Sequence, residues 1–126
     1  MNQALANTQS VNEVANNDIN KVHSPRATQG KPFSVGQGFT ATSFKHPQFG
    51  GRMDPLIMVD HYQMTAPTFG AHPHAGLSAV SVLFEDSIGR FHNRDSLGND
   101  FDLLPGDLYW LSAGSGVVHD EYPRAG

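Results

Sequence analysis

From Phe33 onward, apolar and β-branched residues come in short runs, and each run ends in a cluster of Gly, Pro or Asp. No long window carries a helical apolar period, and the recurrent Gly and Pro would interrupt one. A chain of this kind cannot organise a core around amphipathic helices. It can build short strands that bury one face each. The expectation is an all-β barrel or sandwich with strands at 33–35, 39–44, 56–62, 78–84, 88–93, 101–104, 108–112 and 117–121.

Composition divides the 126 residues in two. Residues 1–31 hold six Asn and none of the chain's Phe, Trp or Tyr, so they cannot nucleate a core and read as a polar, disordered tail. The folded unit is expected at 32–126, and a single domain is the ceiling at this length. With no cysteine, disulfides, thiolate zinc sites, Fe–S clusters and cysteine nucleophiles are excluded together. Any metal must therefore rest on His and carboxylate. A net charge of −4, with eight Lys and Arg and no basic cluster, lacks the footprint of direct nucleic-acid binding. Strictly apolar runs reach only the length of Leu56-Ile57-Met58-Val59, far below the roughly 20 residues that span a bilayer, so no membrane partner is expected. There is no basic segment followed by an apolar stretch at the N-terminus, which leaves the cytoplasm as the default location.

The chemistry is concentrated in two short segments. Gly-Ala-His72-Pro-His74-Ala-Gly and Gly-Val-Val-His119-Asp-Glu121-Tyr each place two potential ligands two residues apart. In an extended strand, positions i and i+2 project to the same side, so each pair can point inward. If the two strands are neighbours, three imidazoles and one carboxylate converge on a point. That donor set, without sulfur, suits Fe(II), Mn, Ni, Cu or Zn, and a six-coordinate ion would keep open positions for chemistry or sensing. Pro73 lacks an N–H and places its segment at a sheet edge or bulge. For a single His such as His23, His46 or His61 the plain reading is a hydrogen-bonded or exposed residue. Asp54, Asp60 and Asp107, beside turns or strand ends, read as turn-bonding groups. Gly36-x-Gly38 reads as a turn, since it has neither a third glycine nor a following helix.

Gly114-x-Gly116-x-x-His119 is similar to the second motif of cupin barrels, with Gly114 in place of a proline. Several segments then agree in order with one family: Asp54-Pro-Leu-Ile-Met-Val-Asp60, His72-Pro-His-Ala-Gly76, Arg94-Asp-Ser-Leu-Gly-Asn99, Pro105-Gly-Asp-Leu-Tyr-Trp110, and Ala113-Gly114 through Glu121. The chain resembles the N-terminal half of a pirin over about residues 33–123. Pirins are double-domain cupins, so the resemblance implies a single jelly-roll cupin domain, incomplete at its C-terminal end. Where the family commonly shows Arg-Gly-Phe-Glu after the second His, this chain has Ala75-Gly76-Leu77-Ser78, which removes an Arg and a Glu from around the site.

The resemblance matches His72, His74, His119 and Glu121 to the family's iron ligands and implies a mononuclear non-haem iron protein. One implied activity is that of a quercetin 2,3-dioxygenase, acting on a flavonol-like molecule and O₂, with Glu121 as the catalytic base. Phe84, Phe91, Trp110 and Val117 are expected as barrel core that could also wall an apolar pocket. His92 matches a position where the family often carries His, and its plain reading is a turn hydrogen bond. Two alternatives stand beside the enzyme: a non-catalytic, metal-dependent regulatory or protein-interaction module, and a truncated pirin without activity. An open barrel edge would favour a protein partner or self-association.

Overall fold

The computed structural model describes residues 27–125. Its nine strands are β1 (Lys31–Val35), β2 (Phe39–Lys45), β3 (Met58–Met64), β4 (His72–His74), β5 (Ser78–Val82), β6 (Arg90–Asp95), β7 (Asp100–Leu103), β8 (Leu108–Ser112) and β9 (Val117–Arg124), with one 3-10 turn at His46–Phe49. Among the described residues there is no α-helix, and no helix is long and apolar enough to cross a membrane. The expected tail falls outside the described residues except for 27–31, and Lys31 already opens β1.

All strand pairs are antiparallel and form three sheets, ordered β1-β2-β3, β4-β9-β6-β7 and β5-β8. β8 occupies the span read from the sequence, while others shift at their ends for local reasons. β3 begins at Met58 because the Leu56 amide donates to the Met53 carbonyl at 2.8 Å, which keeps Leu56 in a turn. β6 begins at Arg90 because the Ser87 amide closes a turn on the Phe84 carbonyl, and Gly89 takes a positive φ that ends it. β4 has only three residues and pairs with β9 alone, at the sheet edge where Pro73 can be accommodated.

Alternation along these strands sets the core. Phe39 and Ala41 of β2, Phe91 of β6, Leu103 of β7 and Leu111 of β8 turn inward together with Ala113 and Val117. Phe39 packs against Tyr62 at 5.2 Å and Phe69 at 5.0 Å between ring centroids. Tyr62 in turn approaches Phe91 at 6.2 Å, bridging the first two sheets. Two residues expected in the core are outside it. Trp110 is 63% and Phe84 51% exposed. Trp110 pairs with Val80 across the β5-β8 sheet and shares its outward face, because Tyr109 and Leu111 take the inward positions.

Candidate metal centre

The β4-β9 ladder sets His72 opposite His119 and His74 opposite Val117. The three imidazoles project to one side of that ladder. His119 Nε2 lies 3.0 Å from His72 Nε2 and 3.0 Å from His74 Nε2, so groups 45 and 47 residues apart in sequence meet at one atom. The candidate ligand atoms of the three residues all fall within 4.8 Å of one another.

The turn before β4 fixes the tautomer of one ring. His72 Nδ1 is 2.9 Å from the Gly70 carbonyl, which can only accept, so the proton sits on Nδ1 and the Nε2 lone pair of the neutral ring faces the cluster. His119 is 5% exposed. Burial, reinforced by His72 and His74, pulls its pKa down to about 4, and burial together with His72 lowers that of His74. His119 is therefore neutral near pH 7, the state in which a ring nitrogen can ligate.

This arrangement fits a cation. Two imidazole nitrogens bound at about 2.1 Å and at right angles on one ion are separated by about 3.0 Å. His119 Nε2 has one in-plane lone pair or one N–H, which a hydrogen bond to a single neighbour would already use, yet it has two such neighbours. Glu121 stands two residues beyond His119 on β9 but is outside the three-imidazole cluster. Its Oε2 is buried without a hydrogen-bond partner. Burial raises its pKa, opposed by the His72 ring and the Ser81 hydroxyl. A buried carboxylate oxygen with no donor is costly unless a cation or proton meets it.

Other inward groups surround Glu121. Asn93 of β6 is its direct cross-strand partner and is 1% exposed. Its Nδ2 donates to the Phe91 carbonyl at 2.9 Å, and its Oδ1 has no partner. Burial and Glu121 raise the pKa of Tyr62, and burial and Asp95 raise that of Tyr109. Sequence reasoning did not single out Tyr62, Ser81, Asn93 or Tyr109. Alternation could have turned Ser81 and Tyr109 inward, but only the strand register brings Asn93 beside Glu121.

His92 faces the opposite side of the sheet. Its ring is 4% exposed, with Nδ1 at 2.8 Å from Asp102 Oδ1 and Nε2 at 3.4 Å from Asp100 Oδ1, so its partners are neighbouring strand carboxylates rather than a turn. Asp120 is on that same outer side, held by Arg94 at 2.7 Å. Asp107 does bond a turn, accepting from the Leu104 amide. Asp54 instead meets His46 Nε2 at 2.8 Å, and Asp60 leaves Oδ1 buried and unpartnered within β3.

The chain resembles known proteins over most of its length. The family model described as Pirin matches residues 13–126, extending further toward the N-terminus than the resemblance read from the motifs. A Pseudomonas aeruginosa protein named as a candidate quercetin 2,3-dioxygenase is 34% identical over 100 residues, covering 75% of this chain and 34% of that protein. A pirin-like protein of Caulobacter vibrioides is 30% identical over 104 residues, covering 79% and 37%. This chain thus spans about a third of the length of these relatives. Among solved structures, quercetin 2,3-dioxygenase from Acinetobacter baumannii superposes with a TM-score of 0.61 at 28% identity, over 79% of this chain and 36% of that one. A Geobacillus kaustophilus protein does so with a TM-score of 0.66 at 26% identity, over 81% and 40%. The β architecture, the paired histidine segments and the family match agree, and the chain belongs to the pirin family.

Proposed function

We propose that this chain is a mononuclear non-haem iron protein with quercetin 2,3-dioxygenase-type activity, its metal held by His72, His74, His119 and Glu121. The observation that carries the reading is the meeting of three imidazole nitrogens at 3.0 Å spacing beside a buried, unpartnered carboxylate oxygen. The donor set would accept Mn, Ni, Cu or Zn as well, and Fe(II) follows from the family resemblance. When bound, the metal would act as a Lewis acid toward the substrate's oxygens and allow O₂ to react.

The chain's own residues have distinct parts in this reading. His72, His74 and His119 hold the centre from two paired strands, and the Gly70 carbonyl keeps His72 in the required tautomer. Glu121, two residues beyond His119 on β9, would take the flavonol hydroxyl proton, which leaves the substrate as the anion that reacts with O₂. The relative solved from Acinetobacter baumannii carries the corresponding activity in its name.

Elemental analysis of the purified chain beside a His72→Ala, His119→Ala double variant tests the centre. One equivalent of metal in the parent and none in the variant is expected, and equal metal in both would overturn it. The iron-loaded chain should then consume O₂ and release CO from quercetin, and turnover no faster than free iron would remove the oxygenase assignment while leaving the metal site standing.

A second reading, a metal-dependent interaction module without catalysis, is favoured by the exposed apolar face that carries Trp110. A partner recovered only by the metal-loaded chain would support it.

A further inference from the structure

Among the described residues, His119 Nδ1 and Asn93 Oδ1 are both buried without a hydrogen-bond partner. Sheet order decides which way the first one faces. β9 runs between β4 and β6, and His119 turns its Nε2 to His72 and His74 on β4. The two nitrogens of an imidazole are separate positions that point apart, so Nδ1 opens on the other flank, toward β6. There Asp95 stands directly opposite His119 and Asn93 opposite Glu121, on the same inward face. The Ser96 amide donates to the Val118 carbonyl at 2.8 Å, so by alternation both of these are pairs without mutual backbone bonds, whose side chains approach most closely.

The inference rests on the metal-binding reading above. With Nε2 on a cation, the neutral ring of His119 carries its one proton on Nδ1, and a buried N–H needs an acceptor. The Gly70 carbonyl fills that part for His72. On the inward face of β6 and β9, three side chains beside His119 offer oxygen, and two of them are committed. Asp95 spends Oδ1 on the Leu97 and Asn99 amides at 2.9 and 3.1 Å, and Oδ2 on the Asn99 side chain at 2.8 Å, closing the turn between β6 and β7. Glu121 is itself a ligand in that reading. Asn93 remains. Its Nδ2 is drawn to the Phe91 carbonyl at 2.9 Å, and Phe91 pairs with Pro123, at the end of the ladder remote from His119. The planar amide then presents Oδ1 toward the His119 end.

We propose that Asn93 is the positioning residue of His119, its Oδ1 accepting the Nδ1 proton and holding the ring with the Nε2 lone pair toward the cation. The two residues are diagonal neighbours across the ladder, about 7–8 Å apart at Cα, a span that an imidazole and an amide can bridge. Without a cation, Nε2 can keep the proton and donate it to a neighbouring imidazole, so the bond to Asn93 forms as the metal enters.

Heteronuclear NMR of the histidine rings in the full chain, with Zn(II) as the probe, tests this beside calorimetric Zn(II) titration. On loading, His119 should show its proton on Nδ1, shifted downfield and slow to exchange. Asn93→Leu, similar in volume but without an acceptor, should weaken Zn(II) by about ten- to a hundredfold and speed that exchange. Asn93→Asp should restore the affinity and move the proton further downfield, because an ionised acceptor makes the shorter bond. A role in packing alone would not order the variants in this way. Should Asn93→Leu fail to fold, the loaded parent decides: an Nδ1 proton that exchanges as freely as that of the exposed His61 overturns the inference. Zn(II) bound through His119 Nδ1, or bound as tightly by Asn93→Leu as by the parent, overturns it too, and leaves the metal centre standing. A parent that binds no Zn(II), or binds it undiminished after His72→Ala, removes the centre itself and this inference with it.

Discussion

His119 is the residue on which the two segments converge, and burial of its ring disfavours the protonated form. Its folded pKa, about 4, is below the ordinary 6.5 of the unfolded chain, so on acidification the unfolded state takes up a proton first. The stability it supports is complete above pH 6.5 and is lost as pH falls toward 4, at a slope of up to about 1.4 kcal/mol per pH unit. Glu121 acts in the opposite sense, because its raised pKa lets the folded chain hold a proton longer as pH rises. Urea unfolding in chelator, in a Glu121→Gln background, removes the opposing contribution and leaves that of His119 together with the same-signed one of His74. Stability should fall between pH 6.5 and 4 and do so less steeply when His119→Gln is added; an unchanged slope would show that His119 does not titrate below its ordinary range. The three histidines were legible because period-two spacing on a strand is a local property. The position of Glu121 outside their cluster and its pairing with Asn93 were not, because both depend on the register between strands distant in sequence.

Strand elements follow the alternation and the turn residues closely, and their errors have local causes. β8 is clean because Pro105-Gly106-Asp107 bonds back on itself before it, with Asp107 accepting from Leu104. The segment at 56–57 reads as strand by hydrophobicity alone, but the turn hydrogen bond from Leu56 to Met53 takes precedence. Outward Phe84 and Trp110 were misread for a related reason: hydrophobicity identifies a strand without saying which of its faces meets the core. The turn into β9 supplies a test at this scale. Gly114 has φ 52°, and a Cβ there would meet nothing within 4 Å, so the cost of a side chain is conformational rather than steric. Gly114→Ala should destabilise the chain by about 1 kcal/mol, lowering the melting temperature by several degrees. An unchanged melting temperature would show that the turn relaxes away from this conformation. Its carbonyl also accepts from the Gly76 amide at 2.8 Å, tying the exit of the His72–His74 strand to the entry of the His119 strand, so the variant should weaken metal binding somewhat as well.

In the molecule as a whole, the centre lies at the thinnest part of the scaffold. β4 contributes two of the three imidazoles, yet it has three residues, stands at a sheet edge and pairs only with β9. Its backbone bonds alone give little resistance to local opening, and such segments exchange their amides first. A cation bound through His72, His74 and His119 would cross-link the edge strand to β9, which is anchored on its other side by β6. Metal at 100 times its dissociation constant should then add about 2.7 kcal/mol, on the order of ten degrees in melting temperature. Hydrogen exchange should localise the gain, with protection rising most at 72–74 and 117–119 and least in β1 and β2, whose pairing does not involve the site. Chelation should reverse both effects, and His74→Ala should remove most of each while leaving β1 and β2 as protected as before. If metal raises the melting temperature equally in parent and variant, or protects the two sheets evenly, the cation is bound elsewhere and the edge strand is held by packing alone.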